Sequence, residues 1–181
     1  LKHVEKCLKY IKDGDIFQIQ VSRRAAIKYS NDPFHLYRYL RNFNPSPLLF
    51  NIKLCDYQLI GASPEILVNV DNKKMFIRPI AGTRKRYSSS KSESEIIEEL
   101  LTDDKEKAEH IMLVDLARND VRRACTGNSV SVNQLMGIEK YAHVIHMVSD
   151  VSGKLKDNCS SVDALKYGFP AGTVTGTPKI R

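Results

Sequence analysis

Residues 48–80 read LLFNIKLCDYQLIGASPEILVNVDNKKMFIRPI, and this stretch decides the fold class. It holds four short apolar runs, at Leu48–Leu54, Tyr57–Ile60, Ile66–Val70 and Met75–Ile80, with Asp71-Asn72 as a turn before the last. Each run is too short for a helix and is bounded by Gly, Pro, Asn or Asp, so each reads as a strand. Tight turns between successive strands favour an antiparallel meander, because parallel neighbours need crossovers of a dozen residues or more.

The flanks add helices. Val4, Cys7, Leu8 and Ile11 recur at helical spacing until Asp13-Gly14 stops them. Asp15 to Ser22 sets Phe17, Ile19 and Val21 against Ile16, Gln18 and Gln20, which predicts a strand. Asn31-Asp32-Pro33 opens a helix carrying Phe34, Leu36, Tyr37 and Leu40, and Asn44-Pro45-Ser46-Pro47 breaks it. From Ala81 to Ser94 the chain turns to Gly, Thr, Arg, Lys and Ser, which predicts a loop, exposed and mobile over Tyr87–Ser94. Glu95–Leu101 and Asp103–Arg118 predict helices, Ser129–Met136 and Val144–Val151 strands. Ser160 and Ser161 offer an N-cap for a last short helix, and Phe169–Thr173 has loop chemistry. The expectation is an α+β fold, antiparallel sheet layers with helices packed outside, in one domain over residues 1–181 and without internal repeats.

Composition narrows the function. No apolar run approaches the roughly 18 residues that cross a bilayer, and no signal-peptide pattern opens the chain. Cys7, Cys55, Cys125 and Cys159 lack C-x-x-C spacing, which disfavours a zinc ribbon or disulfide scaffold and points to reduced thiols in a cytosolic setting. The net charge of +7 is uneven: residues 1–90 hold 16 Lys and Arg against 7 Asp and Glu, and residues 91–181 hold 12 against 14. A basic half can mean nucleic acid, an anionic small molecule or no more than a lysine-rich composition; dispersed lysines and the absence of Trp disfavour nucleic acid. The chain starts at Leu1 and stops at Arg181 just after a Gly/Thr/Pro-rich stretch, as expected of a window from a longer protein, incomplete at both ends.

Three constellations carry candidate chemistry. Glu106 and Glu109 are three apart on an expected helix, so they share a face and can hold a hard cation such as Mg²⁺; the competing reading is a solvated charged face beside Lys105 and Lys107. Arg78-Pro79-Ile80-Ala81-Gly82-Thr83-Arg84 combines backbone donors, a hydroxyl and cations suited to an anion, or is simply a turn. Phe169 to Lys179 is dense in Gly and Thr but lacks P-loop spacing. His143 and His146 face opposite sides of an expected strand, so joint metal ligation is disfavoured.

Together with Gly61-Ala62-Ser63-Pro64-Glu65 and the run from Ala108 to Asp120, these segments resemble the chorismate-utilising enzymes, in unbroken order from about residue 10 onward. Asp15-Ile16-Phe17-Gln18 and Asn44-Pro45-Ser46-Pro47 also fit. The resemblance is strongest to the anthranilate-forming branch of tryptophan biosynthesis, a lyase that converts chorismate and ammonia to anthranilate and pyruvate. It implies that Glu106 and Glu109 bind Mg²⁺, with further ligands beyond this chain. It implies that Glu65 protonates the departing ring hydroxyl and that His146 serves the later loss of pyruvate. Ala81, Gly82, Thr83, Gly172 and Thr173 would line the substrate pocket.

Ala81 stands where water-adding and many p-aminobenzoate-branch relatives carry lysine, which favours direct attack by ammonia. The ammonia is expected from a separate glutamine amidotransferase subunit. The implied setting is the cytoplasm, or an organelle stroma in a eukaryote. Lys85 and Tyr87 depart from the family's Gly-Thr-Arg-Pro-Arg-Gly run, and a substrate-binding arginine and second glutamate pair would lie past Lys179, so the 181 residues alone are expected to be inactive. The alternatives are the p-aminobenzoate branch and a non-catalytic docking module.

Overall fold

The computed structural model describes residues 2–141, 143–175 and 179; Gly176, Thr177 and Pro178 of the last motif lie outside the described residues. The chain divides into two compact units, Leu1–Val21 with Leu67–Arg181, and Ser22–Ile66. The first helix, α1 (Lys2–Lys12), belongs to the larger unit. It ends as the sequence predicts: Gly14 adopts φ +80° and the Asp15 N–H returns to the Tyr10 carbonyl at 3.0 Å. The expected strand at Asp15–Ser22 does not form; Gln18 alone makes a bridge. The alternation is genuine, but Phe17 is 69% exposed, and alternation makes a strand only where a neighbour supplies the ladder and covers the apolar face.

In the smaller unit, α2 (Pro33–Phe43) begins where Asp32 Oδ1 accepts the Phe34 N–H at 2.9 Å, with Pro33 in the first turn where its missing N–H costs nothing. Strands β1 (Leu48–Lys53) and β2 (Gln58–Ser63) pair antiparallel from Leu48↔Ser63 to Lys53↔Gln58. The Phe50 ring lies over Gly61, where any β-carbon would sit 2.3 Å from its Cζ.

The larger unit holds the second sheet. Strands β3 (Asn69–Asp71) and β4 (Lys74–Ile77) form a hairpin whose two turn residues, Asn72 and Lys73, both have positive φ, as a type I′ turn requires. The meander expected over residues 48–80 is thus two separate antiparallel hairpins in two sheets.

Ile80, expected to end a strand from Met75, instead starts strand β5 (Ile80–Lys85), which takes in residues 81–85, expected as loop. Its ladder partner is β7 (Val144–Lys154), some sixty residues away, which no local pattern reveals. The central strand β7 takes β6 (Ser131–Lys140) along one edge. Along the other edge β4 pairs with Val151–Lys154 and β5 with Val144–Val148. Between them Pro79 has no N–H to give, yet its carbonyl accepts the Ser149 N–H at 3.1 Å, so β4 and β5 act as one bent strand.

Helices cover one face. α3 (Glu93–Thr102) starts two residues earlier than expected, at a capping box in which Ser92 and Glu95 satisfy each other's backbone N–H groups. α4 (Asp104–Ala124) runs six residues past the expected end, and α5 (Ser161–Gly168) has a second capping box from Ser160 and Asp163. One core gathers Met75, Val114, Val121, Val151, Leu155 and Ala164 between α4, α5 and the sheet; a second gathers Ile96, Leu100, Ile145 and Met147 beneath α3. Burying a side chain such as Leu100 contributes about 1.5–3 kcal/mol. The last motif, expected as loop, contains a single helical turn, α6 (Gly172–Thr175).

Candidate active site

The site grows from an irregularity in β5. Ala81 pairs with Met147 and Thr83 with His146, so the ladder shifts by one residue at Gly82, which holds φ +67°. A regular strand would send Ala81 and Thr83 to the same face. The bulge leaves Ala81 buried opposite Met147 and turns Thr83 to the other face, opposite His146. There Thr83 Oγ1 lies 3.0 Å from His146 Nδ1. His143 lies before β7 begins, so the two histidines do not share a strand.

On the helix side, Arg84 pairs with Ile145 in the ladder and reaches α4 and the end of α3. Its guanidinium contacts Glu106 Oε1 at 3.1 Å, Asp103 Oδ2 at 2.8 Å and Glu99 Oε1 at 3.8 Å. The hydrogen bond to Glu106 is the foremost cause of a raised Arg84 pKa. Asp103 meanwhile caps α4, its Oδ1 accepting the Lys105 and Glu106 N–H groups at 3.0 and 3.1 Å. The bond from the Glu106 N–H leads in holding the Asp103 carboxyl below its ordinary range. One residue thus starts the helix and fixes the arginine that fixes Glu106.

Glu106 is half-buried and Glu109, one turn further, is exposed. Among the described residues no cluster of three or more His, Cys, Asp or Glu could hold a metal ion. The two glutamates still suit a hard cation that keeps most of its waters. Arg84 occupies Oε1 of Glu106, whereas Oε2 faces Gly82, where an added β-carbon would approach it to 3.4 Å and Leu100 Cδ1 to 2.8 Å. Glycine at position 82 therefore keeps both the bulge and the space beside the carboxylate.

The structure brings Thr83 to His146 on one face of β5 and Glu106 to Gly82 on the other. Glu65 belongs to the smaller unit, where its N–H bonds Ser63 Oγ at 3.3 Å. Gly172 is buried and Thr173 half-buried on α6. Sequence reasoning missed what anchors the chain after α6: Lys179 Nζ donates to Asp120 Oδ2 and the Tyr167 carbonyl at 2.8 Å and to the Gly168 carbonyl at 2.9 Å. All three ammonium protons have acceptors, and the pair is 8% and 9% exposed. It also missed His110, fully buried on α4, whose Nε2 meets Ser149 Oγ at 2.6 Å. Tyr141, whose ring packs on His146, was missed as well. An unexplained polar residue within an apolar helix face was the available signal for His110 and Asp120.

No helix among the described residues is long and apolar enough to cross a membrane. A model of the chorismate binding enzyme family matches residues 1–181. Anthranilate synthase component 1 of Bacillus pumilus is 52% identical over 181 residues, all of this chain and 35% of that protein. Aminodeoxychorismate synthase component 1 of Bacillus subtilis is 46% identical over 178 residues, 98% of this chain and 38% of that one. The crystal structure of anthranilate synthase component I from Streptococcus pneumoniae TIGR4 superposes with a TM-score of 0.86 at 43% identity, covering 98% of this chain and 39% of its own. The chain therefore spans little more than a third of the length of these relatives.

Proposed function

This chain belongs to the chorismate binding enzyme family, and on that premise we propose that it is the part of an anthranilate synthase large subunit that carries one side of the chorismate site. The observation that carries the reading is the bulge at Gly82, which sets Thr83 against His146 on one face and leaves Glu106 beside Gly82 on the other. The relatives that name the activity support it.

The reaction joins chorismate and ammonia and releases anthranilate, pyruvate and water. Ammonia forms the new C–N bond as the ring C–O bond to the hydroxyl breaks, and a proton on that oxygen lets it leave as water. Glu65 is the proposed proton donor. A ring proton is then lost while the enolpyruvyl C–O bond breaks, and aromaticity drives the step; His146, held at Nδ1 by Thr83, presents its other ring nitrogen for that proton. Backbone groups at Gly82 and Gly172 and the hydroxyls of Thr83 and Thr173 line the anionic substrate. Ala81, buried opposite Met147, offers no amine to compete with ammonia as nucleophile. Glu106 and Glu109 would hold Mg²⁺, which supplies charge neutralisation and a template for the substrate carboxylate.

A glutamine amidotransferase subunit supplies the ammonia in this reading, the setting is the cytoplasm, and the 181 residues alone do not turn over. The aminodeoxychorismate synthase relative keeps the p-aminobenzoate branch as a second reading. The test is Glu109→Gln in the full-length protein: Mg²⁺-dependent anthranilate formation is lost, whereas unchanged activity and Mg²⁺ dependence would return Glu109 to the role of a solvated surface charge.

A further inference from the structure

Among the described residues Thr83 Oγ1 is the hydrogen-bond partner of the His146 ring, and one such bond leaves the imidazole free to tilt. The second restraint comes from Tyr141. Its ring meets the imidazole edge-on, with centroids 5.4 Å apart and planes inclined by 69°. Tyr141 is itself held at three atoms: its hydroxyl donates to Glu139 Oε2 at 2.8 Å, its N–H to the Val144 carbonyl at 2.8 Å, and its carbonyl accepts from Arg86 Nη1 at 3.0 Å. Glu139 lies directly opposite His146 in the β6–β7 ladder. Its other oxygen pairs with Arg78, whose Nε lies 2.9 Å from Asp150 Oδ1. The row therefore runs Asp150, Arg78, Glu139, Tyr141, His146, from β7 through the link between β4 and β5 and the end of β6 back to β7. Tyr141 is half-buried, and the chain of charged contacts ends on its ring.

We propose that Tyr141 is a positioning residue for His146, fixing the tilt of the imidazole while Glu139 and Arg78 fix Tyr141. The inference rests on the reading of His146 as the proton-handling group, but the contact itself can be tested without turnover. Tyr141→Phe keeps the ring and drops the hydroxyl bond to Glu139, Tyr141→Leu removes the ring, and Glu139→Gln keeps the shape and removes the charge.

Two measurements decide it. Ring-proton Overhauser contacts between Tyr141 and His146, assigned with His146→Gln, are expected in the wild-type protein, weakened in Glu139→Gln and replaced by Phe contacts in Tyr141→Phe. In the full-length protein with chorismate, ammonium and Mg²⁺, Tyr141→Leu is expected to lower kcat about tenfold or more with KM within about twofold, and Tyr141→Phe, which keeps the ring without its tether to Glu139, to fall between Tyr141→Leu and wild type. Absence of the ring contact, a kcat for Tyr141→Leu within about twofold of wild type, or a loss seen in KM alone would each overturn the proposal. If the wild-type protein shows the contact but consumes no chorismate, the functional reading fails and the positioning contact stands.

Discussion

Thr83 and His146 meet at 3.0 Å because Gly82 puts one extra residue into β5. Were Gly82 an ordinary ladder residue, Thr83 would lie on the same face as the buried Ala81, and the hydroxyl would point at the helices. The geometry of the site is a consequence of strand register, and the register depends on one left-handed glycine.

Gly82→Ala should therefore be costly beyond its size. An alanine at φ +67° is strained, and its β-carbon would lie 2.8 Å from Leu100 Cδ1. The expected loss is about 1–3 kcal/mol in denaturant unfolding. A change below a few tenths would show that the strand can slip to a regular register without cost.

Thr83→Val removes the hydroxyl while keeping the branched shape. In the full-length protein it should lower kcat about tenfold, and Thr83→Ser should retain most of the rate, since the bond to His146 survives. Equal losses in the two variants would assign the effect to packing.

Lys179→Met should leave Asp120 buried without its cation, whose proximity opposes the upward push of burial on that carboxyl. The expected cost is about 3–5 kcal/mol, and the double variant Lys179→Met, Asp120→Leu should recover much of it. Unfolding midpoints of the three variants measure this, and additivity of the single losses would contradict a coupled pair.

The acid limb of stability should show the caps. Hydrogen bonds from Ser92 hold Glu95 below its ordinary pKa, those from Ser160 hold Asp163 below its own, and the Glu106 N–H does the same for Asp103. A depressed folded pKa means the unfolded chain binds the proton more readily. The stabilisation is therefore complete above the ordinary carboxylate range and is lost as pH falls through the folded values, below about pH 4. Asp163→Asn should flatten the slope of stability against pH in that window, as read from urea midpoints at successive pH; an unchanged slope would remove Asp163 from the account.

Local signals made much of this legible. The Asp32-Pro33 start of α2 and the Ser160 cap are properties of a few adjacent residues, and sequence reading placed both; the hairpin turn it placed one residue early, at Asp71-Asn72, where the turn residues are Asn72 and Lys73. The strand over 81–85 was not legible, because its partner lies some sixty residues away and its glycine mimics a turn. The false strand at Asp15–Ser22 is the converse: a correct pattern without a ladder among the described residues. In the site, Glu106 and Glu109 were visible as a helical pair, but the Arg84 clamp on Glu106 and the Tyr141 contact on His146 depend on cross-strand register and could not be seen.

The most direct test of the central claim is the identity of the product formed from chorismate. The full-length protein, given chorismate, an ammonium salt and Mg²⁺, should release anthranilate and pyruvate in equal amounts, followed by anthranilate fluorescence and a coupled pyruvate assay. Accumulation of an aminated chorismate without pyruvate, or no consumption of chorismate, would contradict it.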